Sequence, residues 1–506
     1  VFVLNNLDVI LAEQNLKQFR IAWEDFRNAT ISEFEDPELF KENLKPLISA
    51  DGFRFFTVLE NFVLFSNSKE RLKELITAFA NKNTLADQKH FIDAFEHMAA
   101  ASNILLVANN EEIKTIIKEK ASEEFGTEIE GLDFGNNRLS ALQVVADRDF
   151  SHIHGIFHKS ESAAAQRNTE QLLSVKLDAA LLGKPVFFSN HTNNQKDIAV
   201  QDINNLLYLI SNKGTIFWKK QLDGPILGKI KEVDILKNGR FQLAFATPNR
   251  LEVIDRKGNS VKPFPLKFKD EITQPLALFD YDNNRNYRFL ITQGKELFMY
   301  DSKGRSVKGF EFDKTASEVL FLPKHIRMRN KDYILIAEES GKLNILSRQG
   351  KPRIGISENF NFSDNQWHEF EGKFISGSSL GELVSVDETG KVSRQTLNFA
   401  DNYKLDASSN LLVSFSENTL KIRDKEIAMD FGVYTEPKIF LENNKYYIAI
   451  TDLQTQKVYV FDSNAELLPG FPVYGTSAID IANIEVDNSP EFVVKGDNGE
   501  ILIYRF

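Results

Sequence analysis

The feature that most constrains this chain is a turn that recurs through its C-terminal part. Ser211-Asn-Lys-Gly214, Asp255-Arg-Lys-Gly258, Asp301-Ser-Lys-Gly304, Ser347-Arg-Gln-Gly350 and Asp387-Glu-Thr-Gly390 each place a short polar residue first and glycine fourth. Arg423-Asp-Lys-Glu426 and Asp462-Ser-Asn-Ala465 continue the series without the glycine. The turns begin at residues 211, 255, 301, 347, 387, 423 and 462, so their spacings are 44, 46, 46, 40, 36 and 39 residues. Asp or Ser bonds back onto the backbone of such a turn, and Gly supplies the positive φ that a two-residue hairpin turn demands. The runs before the turns are apolar and strand-like, as in Leu251-Glu-Val-Ile254, Leu297-Phe-Met-Tyr300, Leu343-Asn-Ile-Leu346, Leu383-Val-Ser-Val386 and Val458-Tyr-Val-Phe461.

A period near forty residues built only of strands predicts an all-β propeller, because a single blade can bury its faces only against its neighbours. The turns, with a last hairpin over Glu491 to Phe506, give seven or eight blades, and eight fits the hairpins better. That last hairpin has no strand after it. The alternating run Phe150 to Phe157 is expected to supply the missing outer strand, closing the ring and covering an edge.

Upstream the pattern changes to a smaller α+β domain. Val1 to Leu4 reads as a strand, and Leu16, Phe19, Trp23 and Phe26 recur at helical spacing. Phe53 to Leu59 and Phe62 to Phe65, joined by Glu60-Asn61, predict a hairpin. Asn67 or Ser68 can cap a helix with Leu72, Leu75, Ile76 and Phe79 on its apolar face. A further helix is expected around Phe91, Phe95 and Met98, a strand over Ile104 to Val107, and a helix over Glu111 to Lys120. Glu170 to Leu182, with Leu172, Leu173, Leu177 and Leu181, reads as a helix leading to Gly183-Lys-Pro185. The expected division is therefore an α+β domain over 1–149, a connecting strand, linker and helix over 150–184, and the propeller over 185–506.

Composition narrows the functional classes. The 506 residues exceed one ordinary core, and 42% hydrophobic with 26% charged residues are ordinary globular values. Phe dominates the aromatics, 42 against 12 Tyr and 3 Trp, which suits the packing of many small sheets. A net charge of -11 argues against tracking a phosphate backbone, which needs clustered Lys and Arg, so nucleic acid is not an expected partner. No stretch approaches the ~20 apolar residues of a membrane-spanning helix. Cysteine is absent, which removes disulfides, thiolate metal sites and cysteine nucleophiles together. Val1 in first place fits a processed chain or one whose leader lies outside these residues.

Candidate chemistry is sparse. His152 and His154 would share a strand face with His158 close by, but no carboxylate stands at ligand spacing, so an edge strand explains them better than a metal site. Asp280-Tyr-Asp-Asn-Asn284 resembles a calcium loop, yet it lacks the turn glycine and the closing bidentate acid, and a polar turn is the better reading. Gly372 to Gly381 is rich in Gly and Ser but lacks the Lys and helix of a phosphate cradle; it is expected to be a loop. Phe264-Pro265, Phe310 and Phe471-Pro472 read as packing between blades rather than as a docking surface. No nucleophile elbow or metalloprotease helix occurs. The expectation is a chain with no catalytic, cofactor or metal residues, acting as a binding module. A propeller hydrolase or lyase and a general periplasmic scaffold lipoprotein are the alternatives.

Two stretches carry a family resemblance. Gly52 to Val58, Leu64-Phe-Ser-Asn67, Thr84-Leu-Ala-Asp87, His90-Phe91 and Ile104 to Ala108 resemble a bacterial domain of unknown function found in exported and envelope proteins. Pro185 to His191, Val200 to Asn205, Leu207 to Ile210, Gly214 to Trp218 and Gly228 to Asp234 resemble a propeller family of Bacteroidota envelope proteins. That family includes plugs of the type IX secretion translocon. The resemblance implies a non-enzymatic periplasmic protein, associated with the outer membrane, that plugs or caps the periplasmic opening of a translocon. Its implied partner is the outer-membrane translocon barrel protein, with other periplasmic subunits possible.

Overall fold

The computed structural model describes residues 1–6, 8–27, 29–38, 52–81, 84–87, 91, 95, 98, 102–108, 137–146, 151–159, 169–397, 399, 402–485 and 489–506. The chain divides into two compact units, residues 1–168 and 169–506.

In the first unit, strand Phe2–Asn5 lies at one edge of a five-stranded sheet, followed in space by Phe62–Ser66, Phe55–Leu59, Ala29–Phe34 and Arg20–Phe26. The expected hairpin is present, with Glu60 at φ 47 in its turn. Helix Lys69–Ala80 starts where Ser68 accepts the Arg71 N–H, and it buries Leu72 and Ile76 against Ala29, Ile31 and Leu64. The opposite face of the sheet holds Phe34, Phe53, Phe56, Val63 and Phe65, with Ala12 and Leu16 of helix Val9–Lys17 packed on them.

Trp23 and Phe26 are not helical. Arg20–Phe26 pairs with Ala29–Phe34, and Ile21 and Trp23 point into solvent, so their spacing reports no buried stripe; the sheet edge decides the conformation. A second sheet contains Ile104–Ala108, Asn137–Ala146 and Ser151–Lys159. The Phe91 and Phe95 rings lie 5.6 Å apart. The helix expected over 111–120 falls outside the described residues.

The second unit is an eight-bladed β-propeller. Strands within a blade are named A to D from the inside outward. Blades 1 and 2 begin with A strands Val186–Ser189 and Leu227–Val233, blades 3 and 4 with Ala277–Phe279 and Lys324–Met328. Blades 5 to 8 begin with His368–Phe370, Lys404–Ser408, Lys438–Glu442 and Asp480–Ala482. The cores lie between blades. One joins Tyr447 and Val460 of blade 7 to Phe492 and Tyr504 of blade 8, and the next joins blade 8 to Ile198 and Tyr208 of blade 1.

The D strand of blade 8 is Glu170–Lys176, paired antiparallel to Glu500–Arg505. Two expectations are corrected here. Residues 170–176 form a strand, not a helix, with Leu173 and Val175 turned inward and Leu172 outward. The run expected to close the ring, now Ser151–Lys159, pairs instead with Asn137–Ala146 in the first unit. The domain boundary accordingly falls between 168 and 169, inside the segment expected to connect the domains. An open sheet edge offers a full row of backbone bonds, and that outweighs the helical spacing of four leucines.

The repeated turns take the expected polar role with a different backbone form. Gly258 N–H reaches Asp255 O, and the Asp255 carboxylate accepts from Lys257 N at 2.8 Å and Asn259 N at 2.9 Å. Asp301, Asp387 and Asp462 repeat these contacts. In the other turns of the series the left-handed residue is the fourth, as in a hairpin with a glycine bulge, whereas blade 6 forms the expected two-residue turn, Arg423-Asp424 between the paired Ile422 and Lys425, with Arg423 at φ 56. Ala465 adopts the left-handed conformation where glycine is missing.

Candidate functional site

Antiparallel order sends the B–C turns and the D-to-A connections to one face of the ring and the A–B and C–D turns to the other. The central channel opens among residues at the starts of the A strands, hence on the first of these faces, with a cavity of about 1090 Å³. Five lysines line it, Lys184, Lys229, Lys231, Lys324 and Lys438, against two acids, Asp406 and Glu436. A basic well thus opens in an acidic chain.

Four of the five lysines are held by local structure. Lys184 precedes the first strand of blade 1 and donates from Nζ to Ile479 O at 2.8 Å. Lys229 Nζ lies 3.7 Å from Asp480 Oδ1, whose other oxygen accepts from Phe187 N at 3.0 Å. Lys324 Nζ is 3.3 Å from His368 Nδ1, and Lys438 Nζ is 3.2 Å from Glu436 Oε2. The charge acting on Lys231 is the like charge of Lys229.

Burial pushes the Lys184 ammonium down to about 8, aided by the Lys229 charge and opposed by Asp480. Burial likewise brings Lys324 down to about 8, with Asp406 opposing and Lys438 and Lys231 assisting. Lys231 is lowered by the same cause. Burial, then the charges of Lys324 and Lys438, hold His368 neutral well below its ordinary range. The 3.2 Å approach of His368 Nδ1 to Asp406 Oδ1 is therefore not an ion pair, and the ring nitrogen's hydrogen-bond partner on strand Lys404–Ser408 is Ala407 O at 3.3 Å. Asp406 is fixed by Ile439 N, which donates to its Oδ2 at 3.0 Å.

Buried acids fix the turns around the mouth. Asp202 accepts from Asn204 N, Leu206 N and the Tyr208 hydroxyl, all at 2.9 Å. Asp452 accepts from Val433 N at 3.2 Å and Gln454 N at 2.9 Å, and Leu453 N donates back to Val433 O. These bonds present large apolar side chains to solvent. Phe431 is 89% exposed, with Val433 at 58% and Leu453 beside it. Leu182 and Ile203 protrude from blade 1 and Leu380, 66% exposed, from blade 5, all on the face of the channel mouth.

The residues singled out by sequence lie elsewhere. His152 and His154 are exposed on Ser151–Lys159 with rings 6.1 Å apart, and His158 is on the same strand. Asp280 accepts from Asn284 N and Arg285 N, while Asp282 pairs with Arg348 at 2.7 Å, so this loop is a polar turn whose carboxylates are engaged. Phe264 and Phe471 are buried between blades and Phe310 packs on the core between blades 3 and 4. Gly372 to Gly381 is not a loop throughout. Lys373–Gly377 is the B strand of blade 5, because Phe374 and Ile375 are buried and Ser376 Oγ bonds Asn365 O. The lysines of the well were missed. Their signal was a lysine at the start of several A strands, visible only once the blades are aligned.

No family model and no curated protein matches this chain. Among solved structures, it is similar to the computationally designed Ika8 protein, at 12% identity and TM-score 0.46 over 66% of this chain and 99% of that one. It is similar to BamB from Moraxella catarrhalis, at 14% identity and TM-score 0.42 over 67% and 98%. A third, BBS1N in complex with ARL6DN, is 10% identical with TM-score 0.40 over 66% and 95%.

Proposed function

We propose that this chain is a non-enzymatic binding protein whose propeller docks a protein partner on the face where the channel opens. The observation that carries this reading is the exposed cluster of Phe431, Val433 and Leu453, pinned by the buried Asp452. Exposed apolar groups held rigidly beside a polar surround are what a protein interface supplies, since ordering them on binding costs little further entropy. The finer reading is that the partner is an outer-membrane translocon barrel of type IX secretion, whose periplasmic opening the propeller plugs. Its support is the family resemblance over Pro185 to Asp234 and Gly52 to Ala108. Affinity isolation from native outer membranes tests both levels. A co-purifying barrel protein is expected, and recovery of soluble metabolic enzymes alone overturns the reading.

One observation favours a second reading. Lys324, His368 and Asp406 converge at one mouth of the channel, as a propeller hydrolase or lyase would require. Under that reading Lys324→Met abolishes a turnover while the fold persists; under the docking reading there is no turnover to lose.

A further inference from the structure

The five lysines of the well outnumber the acids set against them, Asp406, Glu436 and Asp480. A propeller needs apolar or mutually satisfied groups along its channel, and placing five ammonium groups around one cavity costs desolvation and mutual repulsion. Lys184 and Lys229 repel each other, as do Lys324 and both Lys231 and Lys438, so blades 1, 2, 4 and 7 all contribute to one positive field. Such an arrangement is stabilised by an anion that enters the cavity.

We infer that the channel well binds an acidic peptide segment of the docked partner, its carboxylates lying among Lys184, Lys229, Lys231, Lys324 and Lys438. This deepens the docking reading and rests on it. Charge complementarity selects an anion, and three features select its kind. The cavity is large enough for several residues rather than one ion. Its cations are point charges on flexible stems; among the lining residues there is no arginine fork of the kind that matches phosphate. The exposed Phe431, Val433 and Leu182 on the same face need apolar surface next to the acidic group, which a protein offers and a free phosphate or a charged glycan does not.

The test is a titration of the full chain with a labelled hexaglutamate peptide, read by fluorescence anisotropy, beside parallel titrations with pyrophosphate and trigalacturonate. Hexaglutamate is expected to bind most tightly, with affinity falling steeply with salt. In the Lys231→Ala/Lys438→Ala variant the affinity should drop on the order of tenfold. Thermal melting establishes that the variant is folded, and Lys229→Gln serves if it is not. Preference for pyrophosphate or trigalacturonate, binding indifferent to these substitutions, or no binding at all overturns the inference. If the wild-type chain captures a protein partner while hexaglutamate fails to bind, docking stands and the acidic segment is excluded. If hexaglutamate binds and no partner is captured, the well is supported and docking fails.

Discussion

Ser174 donates from its hydroxyl to Glu500 Oε1 at 2.5 Å across 326 residues of sequence, in the sheet where the two ends of the propeller meet. Closure by a strand from before the array ties the last blade to the first residues of the unit. The edge of Glu500–Arg505 is therefore covered rather than left open.

Val175→Asp places an unpaired carboxylate among Leu177, Ile501 and Ile503 at this junction. Denaturant unfolding of the propeller should show a loss of about 3 kcal/mol or more. Ile156→Asp, on the strand Ser151–Lys159, belongs to the other unit and should leave the propeller transition where it is. Equal effects from both substitutions would place the closing strand elsewhere.

Gly350 stands at φ 77, and a Cβ there would lie 2.7 Å from Phe312 N. Gly350→Ala should cost about 1–3 kcal/mol in thermal or denaturant unfolding, combining left-handed strain with a backbone clash. Ala465→Gly, at φ 64 in the equivalent turn, should be neutral or slightly stabilising.

These turns were legible because their chemistry is local: a carboxylate bonding the next residues and one left-handed position can be read from four letters. The hairpin around Glu60 and the helix after Ser68 were legible for the same reason. Residues 170–176 were not, because Leu172, Leu173 and Leu177 have helical spacing and only the open edge at Glu500–Arg505 makes them a strand. Trp23 failed likewise, its strand being set by its pairing with Ser32. The candidate site was hidden for a topological reason. Lys184, Lys231, Lys324 and Lys438 are scattered over four blades, and nothing short of the closed ring brings them to one cavity.

Lys324 gives a pH prediction of definite sign. Its folded value of about 8 lies below the unfolded value near 10.4, so between these limits the unfolded chain binds more protons and stability rises with pH. Lys324→Met should be more stable than the wild type at pH 7, by on the order of 1 kcal/mol after allowing for the residue's partial exposure. The advantage should shrink as pH rises through 8 toward 10.4. A difference between the two proteins that is flat from pH 7 to pH 10 would contradict it.

Binding of an anionic peptide should weaken above pH 8, because Lys184 and Lys324, each brought down to about 8, lose their charge there. Isothermal titration at pH 7 and pH 9 measures this. Equal affinity at the two pH values would show that these two lysines take no part.

The docking face itself is tested most directly by hydrogen exchange on the purified complex with a captured partner. Protection is expected around Phe431 to Leu453 and around Ile203, at the D-to-A connection and B–C turns of blades 7 and 1, and Phe431→Asp should abolish capture without changing the melting of the chain. Protection confined to the opposite turns, Asp255 to Gly258 and Asp301 to Gly304, together with undiminished capture by Phe431→Asp, would contradict the account.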